Sequence, residues 1–221
     1  MDIIEAMKAR HSVRSYTDER IEGEAKAGLE KIIEECNEKS GLNIQLCLDA
    51  PEAFSGLMVK YGNLQNVRNY IALVGKKEPG LDEACGYYGQ IIVIEAQRLG
   101  LNTLWVGASY NKKKAVAKIA PGEKMPLVIA VGYGVTQGQP HKNKPMERLY
   151  KCDGEMPLWF RRGMEAVMLA PTAMNQQKFL FTLIGNTVSA RAFTGPYSKV
   201  DLGIAKYHFE IGAGNEGWQW A

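Results

Sequence analysis

Long apolar runs are missing from this sequence. The stretch from Gly89 to Ala96 is broken by Gln90 and Glu95, far short of the ~20 apolar residues a membrane-crossing helix needs. No membrane partner is expected. Cysteine is scarce and scattered: Cys36, Cys47, Cys85 and Cys152 form no CxxC pair and have no histidine cluster nearby. Neither a disulfide framework nor a metal site is expected from such spacing. Charge of one sign is also scarce. A formal net charge of +3 on 221 residues gives no electrostatic case for nucleic acid as a partner. No GxGxxG follows a strand and no Walker sequence occurs, so a nucleotide held on a Rossmann or P-loop turn is excluded. The opening Met1-Asp2-Ile3-Ile4-Glu5-Ala6 carries acids and no apolar run, which predicts no secretory leader. With unpaired cysteines, the expected location is cytoplasmic.

What is present is an ordinary globular composition, 46% hydrophobic and 23% charged. At roughly 150 residues per domain, the length allows one domain or two small ones. Apolar spacing predicts helices over residues 1–9, Glu22–Lys39, Leu81–Leu99, Lys112–Ile119, Leu158–Leu169 and Val200–Ala213. Strands are predicted over Asn43–Asp49, Tyr70–Gly75, Leu101–Gly107, Leu127–Val131 and Phe179–Ile184. Their irregular alternation points to an α+β architecture rather than a doubly wound sheet. The polar loop from Val135 to Pro145 is the best candidate for a functional loop or a domain boundary. A faint internal repeat relates Lys26–Ile33 to Arg161–Met168, and Leu42–Gln45 to Met174–Gln177. Helix-then-strand segments also look alike by chance.

Three clusters could carry chemistry. Arg10-His11-Ser12-Val13-Arg14 offers two planar cationic forks and a hydroxyl, which suit a phosphate; a basic helix end would read the same way. In Ala170-Pro171-Thr172-Ala173-Met174-Asn175-Gln176-Gln177, Pro171 ends a helix and short residues let backbone approach a flat ligand. If the segment is extended, Asn175 and Gln177 point to one side, and their amides suit an edge of mixed donors and acceptors. An ordinary helix-to-strand connection explains it equally. His141-Lys142-Asn143-Lys144-Pro145 could close over a phosphate or be a solvated charge run.

Taken together, the clusters resemble the nitroreductase superfamily of FMN enzymes over nearly the whole chain. Arg10-His11-Ser12-Val13-Arg14-Ser15-Tyr16 is similar to the family's RRSVRxF-like opening, and Ala170–Phe179 to its APSxxNxQPW-like segment. Glu95–Gly107 resembles the passage of helix and strand beside the flavin, and Val128–Gly134 with Lys142 and Lys144 its closing strand and basic loop. Two departures stand out. The APS-like segment comes far downstream instead of a few dozen residues after the opening, and Lys178 stands where many members have proline.

The resemblance implies a mixed or antiparallel sheet flanked by helices, in two related sub-domains (1–148 and 149–221) that form a pseudo-dimer in one chain. It implies FMN held by Arg10, His11, Ser12, Arg14, Trp105, Val106, Gly107, Lys142, Lys144, Pro171, Thr172, Asn175 and Gln177. Arg10, Ser12, Arg14, Lys142 and Lys144 would come from the first part and Pro171, Thr172, Asn175 and Gln177 from the second, with one FMN per chain. It also implies NADH or NADPH as donor, a small organic acceptor such as a nitroaromatic or quinone, and a ping-pong cycle without a side-chain nucleophile. The chain would act as a monomeric pseudo-dimer or pair again as a homodimer. The alternative is a protein that stores or senses flavin without turnover.

Overall fold

The computed structural model describes residues 1–55, 62–215 and 217–221. The chain divides into two compact units. The first takes Met1–Leu81 and Ile91–Pro140; the second takes Asp82–Gln90 and His141–Ala221. The second unit thus begins before the boundary at 148 read from the sequence, and it includes nine residues of a helix far upstream.

In the first unit, α1 (Ile3–Ala9) starts at a capping box: Asp2 accepts from the Glu5 amide and the Glu5 side chain accepts from the Asp2 amide. Helix α2 (Gly23–Ser40) buries Ala25, Leu29, Ile33 and Cys36 along one stripe and ends at Gly41, whose φ of 69° suits glycine. Four strands follow: β1 (Gln45–Cys47), β2 (Asn69–Lys76), β3 (Asn102–Val106) and β4 (Glu123–Gly132). They form an antiparallel sheet in the order β1-β2-β4-β3. Tyr70, Ala72, Val74, Val128 and Ala130 belong to a core on one face. Their alternates Ile71, Leu73, Ile129 and Val131 are buried too, so both faces are covered, which is why β2 and β4 read as continuous apolar runs.

Helix α3 (Leu81–Arg98) gives its first half to the second unit and its second half to the first. The helix expected over Lys112–Ile119 is not there. One tight turn, Lys112–Lys114, is capped by Asn111, and the chain then runs unwound. The Val116 amide donates to the Tyr70 hydroxyl and the Lys118 amide to Gln45 Oε1. Side chains of β1 and β2 take up the backbone groups that a helix would have paired internally.

The second unit carries β5 (Tyr150–Cys152), β6 (Phe179–Ile184), β7 (Thr187–Ala192) and β8 (Gln219–Trp220), in that order across a mixed sheet. β6 and β7 form an antiparallel hairpin; β5 and β8 add in parallel. Helices α4 (Leu158–Val167) and α5 (Ser198–Ala213) pack closely, with the Phe209 ring in contact with those of both Phe160 and Phe181.

The order of elements repeats. The run α2-β1-β2-α3-β3 has the same sequence of types as α4-β6-β7-α5-β8. Both strand pairs at its start are antiparallel. β3 runs in the direction of β2, with β4 antiparallel between them, and β8 runs parallel to β7 directly. The repeated glycines match as well. A Cβ on Gly28 would lie 2.8 Å from Leu99, which follows α3, and one on Gly163 would lie 2.6 Å from Phe209 in α5.

Candidate functional site

The expected site residues fall in two groups. In the first unit, α1 ends at Arg10, whose amide still bonds to Ala6. The following residues run as a ribbon beside the sheet. Ser12 bridges Thr103 in parallel, and the Val13 amide donates to the Thr103 carbonyl at 3.1 Å. On the other side Gln65 donates to the Arg14 carbonyl and accepts from the Tyr16 amide. Val13 and Tyr16 sink into the core, and Tyr16 anchors the ribbon through its hydroxyl, which donates to the Val13 carbonyl at 2.9 Å. His11 and Ser12 are half-buried and Arg14 is exposed.

Arg10 is the anomaly of this group. It is only 3% exposed, yet its buried Nε has no hydrogen-bond partner. Burial lowers its pKa to about 10. A guanidinium so placed is costly unless an anion completes it. His11 is pushed below its ordinary value, by burial first and then by the charge of Arg10. Trp105, Val106 and Gly107 follow along the end of β3, with Val106 buried in the core and the other two half-buried.

Two positioning features were not legible beforehand. Asn102 accepts from the Gly134 amide and donates to Gln137, tying the chain after β4 to the start of β3. At Gly138, φ is +74° and a Cβ would stand 2.8 Å from His11, so this strand exit passes directly over the basic ribbon. Nothing in the local pattern marks Gln65, Asn102 or Gly138.

The second group lies in the second unit, and Lys142 and Lys144 belong to it rather than to the first part as expected. The segment after Pro171 is not extended. It makes a tight turn, Ala173–Asn175, and Met174, Asn175 and Gln177 have left-handed φ values of 50°, 53° and 43°. Asn175 and Gln177 therefore do not present their amides side by side. Gln177 is buried; its Oε1 accepts from the Lys144 amide and its Nε2 donates to Asn143, each at 2.7 Å. Asn175 donates to the Lys142 carbonyl. The Lys144 ammonium donates to the carbonyls of Gln176 and Gln177. Thr172 closes the turn, its hydroxyl accepting from the Gln177 amide. The polar side chains expected to hold a ligand thus tie residues 142–144 to residues 172–177, while Lys142 and Asn175 stay exposed and Met174 is 76% exposed.

Comparison with known proteins now bears on this arrangement. The family model described as "Putative TM nitroreductase" matches residues 2–213. A Thermotoga maritima structure described as a putative nitroreductase aligns with a TM-score of 0.70 at 24% identity, covering 96% of this chain and 83% of its own. A nitroreductase family protein from Streptococcus pneumoniae aligns with a TM-score of 0.54 at 15% identity, covering 66% of this chain and 98% of its own. For a Clostridium acetobutylicum structure described as a putative NADH oxidase, the values are 0.51 and 21%, with 67% and 97% covered. These likenesses show a shared fold. No curated protein matches the chain.

Proposed function

The chain belongs to this nitroreductase family, and from that premise we propose that it is an FMN-dependent oxidoreductase passing electrons from NADH or NADPH to a small organic acceptor. The observation that carries the reading is Arg10. A buried guanidinium with an unpartnered Nε, beside a half-buried serine and an exposed arginine on one ribbon, fits a ligand with a dianionic head. Arg10 and Ser12 would hold the phosphate of FMN. Arg14 would face the ring edge that gains negative charge, where a fixed cation favours the reduced form. The backbone from Trp105 to Gly107 would pass along the ring. When bound, FMN supplies the hydride and electron transfer.

Lys144 is withdrawn from the phosphate, since its ammonium serves the carbonyls of Gln176 and Gln177. The repeated order of elements supports a duplicated chain, a pseudo-dimer in one polypeptide. So does the coverage of the shorter structures, which span nearly all of themselves and two thirds of this chain. A basic ribbon occurs in the first copy alone, so we expect one FMN per chain. Four free cysteines agree with a cytoplasmic location.

The test is an absorbance spectrum of the purified protein before and after anaerobic NADH or NADPH. Flavin bands near one equivalent that bleach on addition support the enzyme. A flavin that stays oxidised with both donors moves the reading to a flavin-binding protein without turnover. A protein that takes up no added FMN ends both.

A further inference from the structure

Between α4 and β6 the backbone follows a path that side chains resist. Three of the four residues from Met174 to Gln177 are left-handed without being glycine, and such strain persists only where the surroundings over-determine it. One set of restraints is the 142–144 loop. The other is a single side chain of α5. Asp201 is 2% exposed. Its Oδ1 accepts from the Ala173 amide and its Oδ2 from Gln176 Nε2, each at 2.8 Å. Gln176 Nε2 also donates to the Pro196 carbonyl at 2.7 Å, so both amide protons are placed. The amide cannot turn over without aiming its oxygen at that carbonyl.

We propose that Asp201 is a positioning residue: its carboxyl group sets the turn Ala173–Asn175 and thereby the exposed face that Met174 and Asn175 present, in a segment that the family resemblance gives to the flavin. Its bearing on a flavin rests on that resemblance and on the proposed function; its hold on the turn does not.

A buried carboxylate without a cation is a costly brace. The charged groups on the elements around it are Lys199, Lys206 and Glu210 on α5, Arg161, Arg162 and Glu165 on α4, Asp82 and Glu83 at the start of α3, Lys144, and Lys178 just before β6. Glu83 pairs with Lys206, Lys178 donates to the Thr194 carbonyl, and Lys144 serves the turn's own carbonyls. Among the described residues no cation pairs with Asp201. Burial accordingly raises its pKa to about 6, against the pull of its two hydrogen bonds. Ionisation therefore costs more in the closed turn than in an open, hydrated one, and the hold on the turn weakens as pH rises from about 4 through about 6. A side chain that cannot ionise has no such dependence.

The test is amide exchange on the full chain, as protection factors corrected for intrinsic pH dependence, at pH 5 and pH 7.5. Wild type, Asp201→Ala and Asp201→Asn are compared, and the FMN dissociation constant is measured at pH 7.5. We expect Asp201→Ala to lower protection of the 175–177 amides about tenfold and to raise the FMN constant about tenfold, a 1.4 kcal/mol loss. Wild type loses protection between pH 5 and pH 7.5, and Asp201→Asn shows no such step. Equal protection in all three proteins, or no step in wild type, overturns the proposal. A loosened turn with unchanged FMN affinity overturns its bearing on the cofactor. If wild type binds no FMN, the flavin reading fails while exchange still decides the brace. If Asp201→Ala does not fold, the wild-type step against Asp201→Asn decides it.

Discussion

Gly203 of α5 lies against the backbone carbonyl of Glu83 in α3, so close that a Cβ would meet that oxygen at 2.0 Å. Helix backbones meet there without any side chain between them. The obstacle is backbone, which cannot step aside as a side chain would. Gly203→Ala is expected to destabilise by about 3 kcal/mol, at the upper end for overpacking, despite alanine's better helix propensity. Gly28→Ala meets only the methyls of Leu99, which can rotate, and should stay within about 1 kcal/mol of wild type. Urea denaturation of both variants checks this. Equal losses would mean that the contact at Glu83 is not the tighter one.

Arg10 leads to a second prediction. Its lowered pKa means that carrying the charge costs the fold stability at every pH below about 10, where Arg10 is still protonated. Replacing it with a neutral side chain of similar length removes that cost. Arg10→Met should therefore leave the apo protein as stable as wild type or more so, by up to ~3 kcal/mol. The same variant should lose the preference for FMN over riboflavin, because the two differ in the phosphate. Thermal shifts with FMN, riboflavin and inorganic phosphate measure both effects. A variant that still prefers FMN tenfold removes Arg10 from the phosphate.

Much of the first unit could be read from the sequence because its elements announce themselves locally. The helices expected over residues 1–9 and Glu22–Lys39 and the apolar runs Tyr70–Gly75 and Leu127–Val131 all fall where the structure has elements of those types. The failures share a cause. Lys112–Ile119 has helical spacing, but its amides are claimed by Gln45 and Tyr70 from strands about 70 and 45 residues upstream. Asn175 and Gln177 look like an extended pair until Lys142, Asn143 and Lys144 draw the segment into a left-handed turn. The strand Thr187–Ala192 went unmarked because its hairpin turn and polar alternation resemble a loop. Long-range hydrogen bonds decided these places, and a local pattern does not contain them. The Arg10 ribbon was legible as a motif, whereas the burial that isolates its guanidinium was not.

Asp201 predicts how stability depends on pH. Its pKa is about 6 in the fold against 3.8 in the ordinary state, so the folded protein keeps this proton after the unfolded chain has lost it. Its contribution to stability therefore falls as pH rises from about 4 to 6, by on the order of 3 kcal/mol. It stays constant above that window. Asp201→Asn, which cannot ionise, should flatten this slope. Denaturation midpoints between pH 4 and pH 7 test it, with the wild-type slope compared against that of the variant. Parallel slopes would assign the dependence to other groups.

Arg14 separates binding from chemistry. It is exposed on the ribbon while Arg10 is buried, so its removal leaves the phosphate grip intact. What it is proposed to supply is a fixed positive charge beside the ring edge that becomes negative on reduction, and such an interaction is stronger in the product of the step than in its reactant. Arg14→Ala should then retain FMN within a few-fold of wild-type affinity while slowing reduction by NADH or NADPH about tenfold or more. The reduction potential should shift to a more negative value, since the oxidised form loses less than the reduced one. Anaerobic stopped-flow at saturating donor gives the rate, and a dye-coupled titration gives the potential. If the rate falls while the potential holds, Arg14 orients the nicotinamide donor and does not stabilise reduced flavin. If neither changes, it has no part in the reaction.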